Sequence, residues 1–97
     1  MRPLHEEFRS RATVRGGIVM YHPRDAMALV MRARERGRPI LGIDAFIVSA
    51  QGTEPHMEHS TDYSRIEGTD EPSWERALRF LQDRLESPFL FEIVLDD

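Results

Sequence analysis

The segment from Glu54 to Asp62 places two histidines and three carboxylates within nine residues. Imidazole beside carboxylates can act as a general base, hold a zinc or manganese ion, or form a charged docking surface. On a regular strand every second residue shares a face, so His56 and His59 should point in opposite directions. The carboxylates of Glu54, Glu58 and Asp62 should instead align along one face.

Two chemical interpretations of this cluster remain open. A metal ion would use His56, Glu58 and Asp62, although no spacing of the HExxH type accompanies them. Acid–base catalysis would pair a histidine with a carboxylate and use Ser60 or Ser64 as nucleophile. No nucleophile elbow or phosphate-binding glycine loop is present to support that chemistry.

A docking surface is the interpretation that the pattern favours. Pro55 cannot donate a ladder hydrogen bond, so its strand belongs at a sheet edge. A negative edge strand offers open backbone groups and complementary charge to a basic protein partner. Asp44, on the preceding strand, is expected to add to this surface, which also includes Glu54, His56, Glu58, His59 and Asp62.

Composition narrows the class of protein. A chain of 97 residues corresponds to one small domain. It has no cysteine, which excludes disulfides and thiolate metal sites. No apolar run reaches the length of a membrane span, and the N-terminus lacks a signal-peptide pattern, so we expect a cytoplasmic protein that does not bind membranes. We expect no cofactor.

The charge is unevenly distributed. Residues 1–38 contain nine arginines and four acids, whereas residues 39–97 contain four arginines and thirteen acids. Phosphates would be repelled by the acidic part, so nucleic acid is not an expected partner. A basic protein fits this charge instead, because long-range attraction would steer it to the acidic surface.

Hydrophobic periodicity predicts the elements that position these residues. Residues 1–15 form a polar, Arg-rich lead-in, with one helical turn joining Leu4 and Phe8, and residues 16–97 form the domain. The run at 18–21 is compatible with a strand or with the approach to a helix. The predicted elements that follow are a helix at 23–36, strands at 39–49 and 54–62, a helix at 72–86 and a strand at 89–95.

This (β)αββαβ order predicts a two-layer α+β fold, in which two helices cover one face of a small antiparallel sheet of three to four strands. The 39–49 strand is apolar on both faces and should lie in the middle, flanked by the 54–62 and 89–95 strands. A ferredoxin-like sheet is the second choice, because it would make the polar, Pro-containing 54–62 strand central. The hydrophobic last strand is a candidate for pairing with a second copy in a homodimer.

Four segments together resemble the small α+β immunity proteins of bacterial polymorphic toxin systems. These segments are Ile40–Phe46, Glu54–Tyr63, Trp74–Ala77 and Phe91–Val94. The resemblance implies a cytosolic, non-catalytic protein that neutralises a cognate toxin by direct binding. It assigns the contact to Asp44, Glu54, Glu58 and Asp62, with His56 and His59 beside them. The Arg-rich residues 1–15 have no counterpart in the resemblance.

Overall fold

The computed structural model describes residues 3–62 and 72–95 and shows an α+β fold with an antiparallel sheet and a helical layer. The predicted fold class is confirmed. The polar connection at 63–71, Ser64 and the two C-terminal aspartates lie outside the described residues. Within them, no helix has the length and apolar character needed to cross a bilayer.

The elements in chain order are α1 (Leu4–Glu7), β1 (Thr13–Arg15), β2 (Ile18–Met20), α2 (Pro23–Glu35), β3 (Ile40–Ser49), β4 (Gly52–Pro55), β5 (Thr61–Asp62), α3 (Ser73–Gln82) and β6 (Leu90–Leu95), with 3₁₀ turns at Arg9–Arg11 and Met57–His59.

Strand β3 occupies the centre of the main sheet. Phe46 pairs with Pro55 of β4 on one side and with Leu90 of β6 on the other. Gly42 likewise lies between β5 and β6. Strands β4 and β5 therefore share one edge of β3. This pairing confirms the predicted arrangement with the 39–49 strand in the middle, and it differs from the ferredoxin-like alternative, in which the return strand would be central.

The start and end of helix α2 follow from local sequence signals. Pro23 occupies its first turn, where a missing N–H costs nothing. One apolar stripe of the helix is buried, whereas Met31 is exposed. Gly37 adopts a φ of 67°, and the N–H of Arg38 donates back to the carbonyl of Ala33 at 2.9 Å. This Schellman-type ending explains why the helix stops where predicted. The buried stripe comprises Ala26, Leu29, Val30 and Ala33.

Helix α3 is shorter than the predicted 72–86 span and ends at Gln82. Its start is fastened to the start of β3, because the buried Ser73 hydroxyl accepts a hydrogen bond from the Ile40 N–H at 3.1 Å. Trp74 Nε1 donates to the Arg38 carbonyl at 2.8 Å. Ala77 and Leu81 are fully buried in the main hydrophobic cluster.

The N-terminal residues belong to the core of the same domain. Leu4 is fully buried and Phe8 is 8% exposed, and both pack in the main hydrophobic cluster. The predicted helical turn between them is present as α1. Strands β1 and β2 form a hairpin around Gly16 and Gly17, which have φ values of 55° and 83°. Positive φ at both positions is typical of a two-residue hairpin turn, a signal missed when residues 1–15 were predicted to be a lead-in.

His5 connects this N-terminal region to β6. Its Nε2 lies 2.9 Å from the carbonyl oxygen of Ile93, and its Nδ1 lies 3.0 Å from the Tyr21 hydroxyl. Because a carbonyl only accepts, Nε2 carries the hydrogen and Nδ1 accepts from Tyr21. Burial raises the pKa of Tyr21 to about 12, so its hydroxyl keeps the proton it donates. Tyr21 and Phe91 also exchange two backbone hydrogen bonds. The final strand, predicted as a candidate for homodimer pairing, thus has Phe91 and the Ile93 carbonyl engaged within the chain.

The two faces of the sheet have different surroundings. Ile43, Ala45, Phe91 and Ile93 are buried in the cluster that contains residues of all three described helices. Alternation places Gly42, Asp44, Glu92 and Val94 on the opposite face. On that face, Met20, Phe46 and Leu90 form a second, smaller buried cluster under the hairpin.

Candidate functional site

The predicted 54–62 strand is interrupted in its middle. Pairing with β3 runs from Gly52 to Pro55 and resumes at Thr61. Residues 56–60 therefore span only two positions of β3, and the Met57–His59 turn takes up the excess. The prediction of one regular strand is wrong at this point. Pro55, which has no N–H to continue the ladder, lies where β4 ends.

Ser60 restores the ladder that the turn interrupts. Its Oγ accepts a hydrogen bond from the Ala45 N–H at 2.9 Å and donates to the His56 carbonyl at 3.1 Å. The His56 N–H donates in turn to the Ala45 carbonyl at 2.9 Å. One hydroxyl thus satisfies a backbone donor of the central strand and closes residues 56–60 into a defined loop.

We expect Ser60→Ala to lower the free energy of unfolding by about 1–3 kcal/mol, because it leaves the Ala45 N–H without its acceptor. Urea unfolding measures the change, and amide exchange at Ala45 should become faster. Ser49→Ala is the matched control, since the Ser49 hydroxyl accepts only from the Gln51 N–H at an exposed position. Equal effects of both substitutions would contradict the role given to Ser60.

The turn brings the two histidines to one aromatic ring. His56 and His59 have ring centroids 5.3 Å and 4.4 Å from that of Phe89. Phe89 lies 6.3 Å from Phe91, which is in the helix-side core. The prediction that the histidines diverge is therefore wrong, because the 3₁₀ turn breaks the two-residue alternation on which it depended.

Two exposed carboxylates border His56. Its Nδ1 lies 3.2 Å from Glu58 Oε1, and its Nε2 lies 3.9 Å from Glu54 Oε1. A hydrogen bond from its own backbone N–H, followed by the hydrogen bond with His56, lowers the pKa of Glu58. We call Glu54, His56, Glu58 and His59 the histidine edge. It is a polar surface anchored on an aromatic side chain.

Asp44 and Asp62 lie on the other face of the sheet. Asp62 pairs with Gly42, and Asp44 lies two residues along β3 on the same face. They line a concavity of about 430 Å³ together with Leu41, Met57, Ser60 and Val94. We call it the acidic concavity. Met57 and Val94 are 73% and 37% exposed, so apolar surface meets solvent beside the carboxylates.

The floor of the acidic concavity depends on a glycine. A Cβ atom at Gly42 would lie 3.1 Å from the Thr61 carbonyl oxygen, which is closer than ordinary van der Waals contact. The absence of a side chain allows β5 to approach β3 at this point. Gly42 therefore helps to bring Asp62 to the face that carries Asp44.

Glu92 stands directly across from Asp44 in the β3–β6 register. Partial burial raises the pKa of Glu92, and the nearby carboxylate of Asp44 raises it further. Two carboxylates on neighbouring strands therefore lie side by side on the same face of the sheet. Like charges placed directly opposite each other destabilise a strand pair. A position that costs stability in this way is a candidate for function.

Glu92 and Phe89 were missed by reasoning from the sequence. The available signal was a single acid within each of two apolar strands, Asp44 in β3 and Glu92 in β6. Strand register decides whether such residues meet, and hydrophobic alternation alone does not supply it. Phe89 packs against the main hydrophobic cluster, and its ring also contacts the two histidines.

We expect Glu92→Gln to stabilise the chain at pH 7 by about 0.2–1 kcal/mol, the range of cross-strand pair energies. The pKa of Glu92 is raised in the folded state. The folded chain therefore holds this proton more tightly than the unfolded chain, and stability falls as the pH rises from the ordinary glutamate value to the raised value. Urea unfolding at pH 7 and pH 4 tests this, because the gain should disappear at pH 4. Glu86→Gln, at an exposed position, is the control and should show no such difference.

The structure does not bring His56, Glu58, His59 and Asp62 together as one metal-binding cluster. Among the residues it describes, no group of three or more histidine or acidic side chains is placed to hold a metal ion. Asp62 lines the acidic concavity, whereas His56 and His59 contact Phe89. The six predicted site residues therefore divide between two neighbouring surfaces.

Comparison with protein-family models finds no match, and comparison with curated proteins finds none of similar sequence. Function is therefore inferred from the surfaces themselves.

Proposed function

We propose that this chain is a non-catalytic protein-binding domain that binds a basic protein partner through the acidic concavity. The observation that carries the proposal is the meeting of Asp44, Glu92 and Asp62 beside exposed apolar side chains on the sheet face opposite the helices. Desolvated apolar contact with a charged surround is the usual anatomy of a protein interface. Val94 and Met57 supply the apolar contact, and the carboxylates supply the charge.

The histidine edge extends this docking surface around the same turn. Met57 of the 3₁₀ turn lines the acidic concavity, whereas His59 of that turn packs on Phe89. Glu54 and Glu58 are mostly exposed, with side-chain accessibilities of 75% and 67%. Exposed charges of this kind mainly influence the association rate, whereas desolvated charges influence residence time. We therefore assign affinity to the concavity and steering to the edge.

The biological form that we propose is an immunity protein, which neutralises a cognate toxin by covering its surface. The supporting observations are the resemblance of four segments to small immunity proteins and the excess of acids in residues 39–97. A toxin that acts on a polyanionic substrate would present a basic surface, to which this face is complementary.

Co-expression with the C-terminal domain of the protein encoded immediately upstream tests the proposal. We expect that domain to arrest bacterial growth alone and to be tolerated, and co-purified in a stable complex, when this chain is present. Co-purification without growth protection would support binding and reject the immunity role. Failure of the two chains to associate would reject that protein as the partner and, with it, this form of the proposal.

A further inference from the structure

We propose that a cavity between α1 and the β1–β2 hairpin binds a free α-amino acid with an aliphatic side chain. The cavity has a volume of about 520 Å³, which is within the size range of small-molecule sites. The hairpin adjoins β6, whereas the histidine edge lies on the other side of β3. This site is therefore separate from the proposed docking surface. Its lining comprises His5, Glu6, Arg9, Val14, Gly17 and Val19.

The cavity forms where β2 parts from β6. Tyr21 and Phe91 exchange two backbone hydrogen bonds, each of 2.8 Å. Two residues further along β6, the Ile93 carbonyl instead accepts a hydrogen bond from His5 Nε2 at 2.9 Å. The His5 ring also stacks on the Tyr21 ring. These contacts hold α1 over the diverging hairpin and keep the space between them open.

One wall of the cavity is apolar. Val14 and Val19 are directly opposite in the β1–β2 register, so their side chains lie on the same face of the hairpin. Val19 packs against the main hydrophobic cluster, whereas Val14 is 42% exposed. An aliphatic side chain that covered Val14 would remove apolar surface from water, which favours binding.

The opposite wall carries two charges of opposite sign. Glu6 and Arg9 are three residues apart around α1, a spacing that places side chains on neighbouring positions. In the part of the chain that the structure describes, neither of them forms an ion pair. Glu7, between them, pairs instead with Arg32 and Arg36 of α2. Glu6 and Arg9 therefore keep their hydrogen-bonding groups available for a ligand.

This combination fits a zwitterion better than a simple ion. An anion without a positive group would be repelled by Glu6, and a cation without a negative group would be repelled by Arg9. A free α-amino acid carries its ammonium and carboxylate on one carbon. Its carboxylate would accept two hydrogen bonds from the Arg9 guanidinium, and its ammonium would donate to Glu6. The aliphatic side chain would then lie on the valine wall.

Nitrogen-15 NMR of the full chain, titrated with L-leucine, tests the site. We expect the amide signals of Val14, Gly17 and Val19 to shift with a Kd of about 1 mM or tighter, while that of Gly52, beyond β3, stays in place. Leucinamide lacks the carboxylate and N-acetyl-leucine lacks the ammonium, so each should bind roughly tenfold more weakly or worse. No shift with leucine at about ten times the expected Kd, or equal binding of either analogue, overturns the proposal.

Substitutions assign the two charges. Arg9→Gln and Glu6→Gln should each weaken leucine binding by roughly tenfold or more. Arg11→Gln is the matched control, because the Arg11 guanidinium lies over the Phe8 ring and does not line the cavity. All three side chains are exposed, so the amide spectrum should remain that of a folded chain. Loss of binding in the control, or its retention in both cavity variants, overturns the assignment of Glu6 and Arg9. Unfolding of a variant leaves the decision to the two leucine analogues.

Discussion

We expect Asp44→Asn combined with Glu92→Gln to weaken binding to the basic partner that we propose by roughly 30-fold or more, since removing desolvated charges from an interface costs about 2–5 kcal/mol. The amides keep the shape of the carboxylates and remove only their charge. Stability should be unchanged or higher, because the substitution also removes a like-charge contact between β3 and β6. Calorimetric titration with the partner and urea unfolding of the free chain measure the two effects.

Asp83→Asn combined with Glu86→Gln is the matched control. It makes the same two chemical changes at exposed positions after α3 and alters net charge equally. If the control variant bound the partner as weakly as the Asp44/Glu92 double variant, overall charge and not the Asp44–Glu92 pair would determine affinity. Loss of folding in the concavity variant would refute the assignment of these carboxylates to binding.

The second large effect that we expect is on stability, from Leu4→Ala. Leu4 is fully buried in the main cluster, and truncating such a side chain costs about 2–5 kcal/mol. Small domains have a free energy of unfolding of about 5–15 kcal/mol, so this is a large fraction of the total. The loss should appear as a lower urea midpoint with an unchanged slope, followed by the fluorescence of Trp74.

Val14→Ala provides the comparison within the same N-terminal region. Val14 is 42% exposed in β1, so its truncation should change stability by less than about 1 kcal/mol. If Leu4→Ala were as mild as Val14→Ala, the N-terminal residues would not contribute to the core. We also expect Glu7 to contribute to the stability of the folded chain, because its carboxylate pairs with Arg32 and Arg36 of α2.

The elements with strong local signals were predictable from the sequence. Pro23 and Gly37 delimit α2, and the largely apolar run from Ile40 to Val48 predicts a central strand. The position of β6 against β3 followed from its hydrophobicity. In each case the local preference and the tertiary environment agree, so pattern alone was sufficient.

The predictions that were wrong concern places where single residues override the pattern of apolar and charged residues around them. Pro55 and Ser60 convert an alternating strand into two short strands and a turn, which reverses the direction of His59. Composition predicts that residues 1–15 are a solvated lead-in. Two apolar residues among their many charges, Leu4 and Phe8, instead pack this segment into the main hydrophobic cluster. The candidate site was partly predictable, since Asp44 and Asp62 do lie on one face, but their neighbour Glu92 could be found only from strand register.

The loop at residues 56–60 has a consequence for how this surface can change over time. Strand pairing is in register on both sides of it, from Gly52 to Pro55 and again at Thr61 and Asp62. Substitutions at Met57, Glu58 or His59 therefore alter the outline of the surface without displacing β3. Short insertions between these residues should be accommodated in the same way, because the slack is already built into the chain. Such a segment allows the outline of the surface to vary while the sheet behind it stays constant.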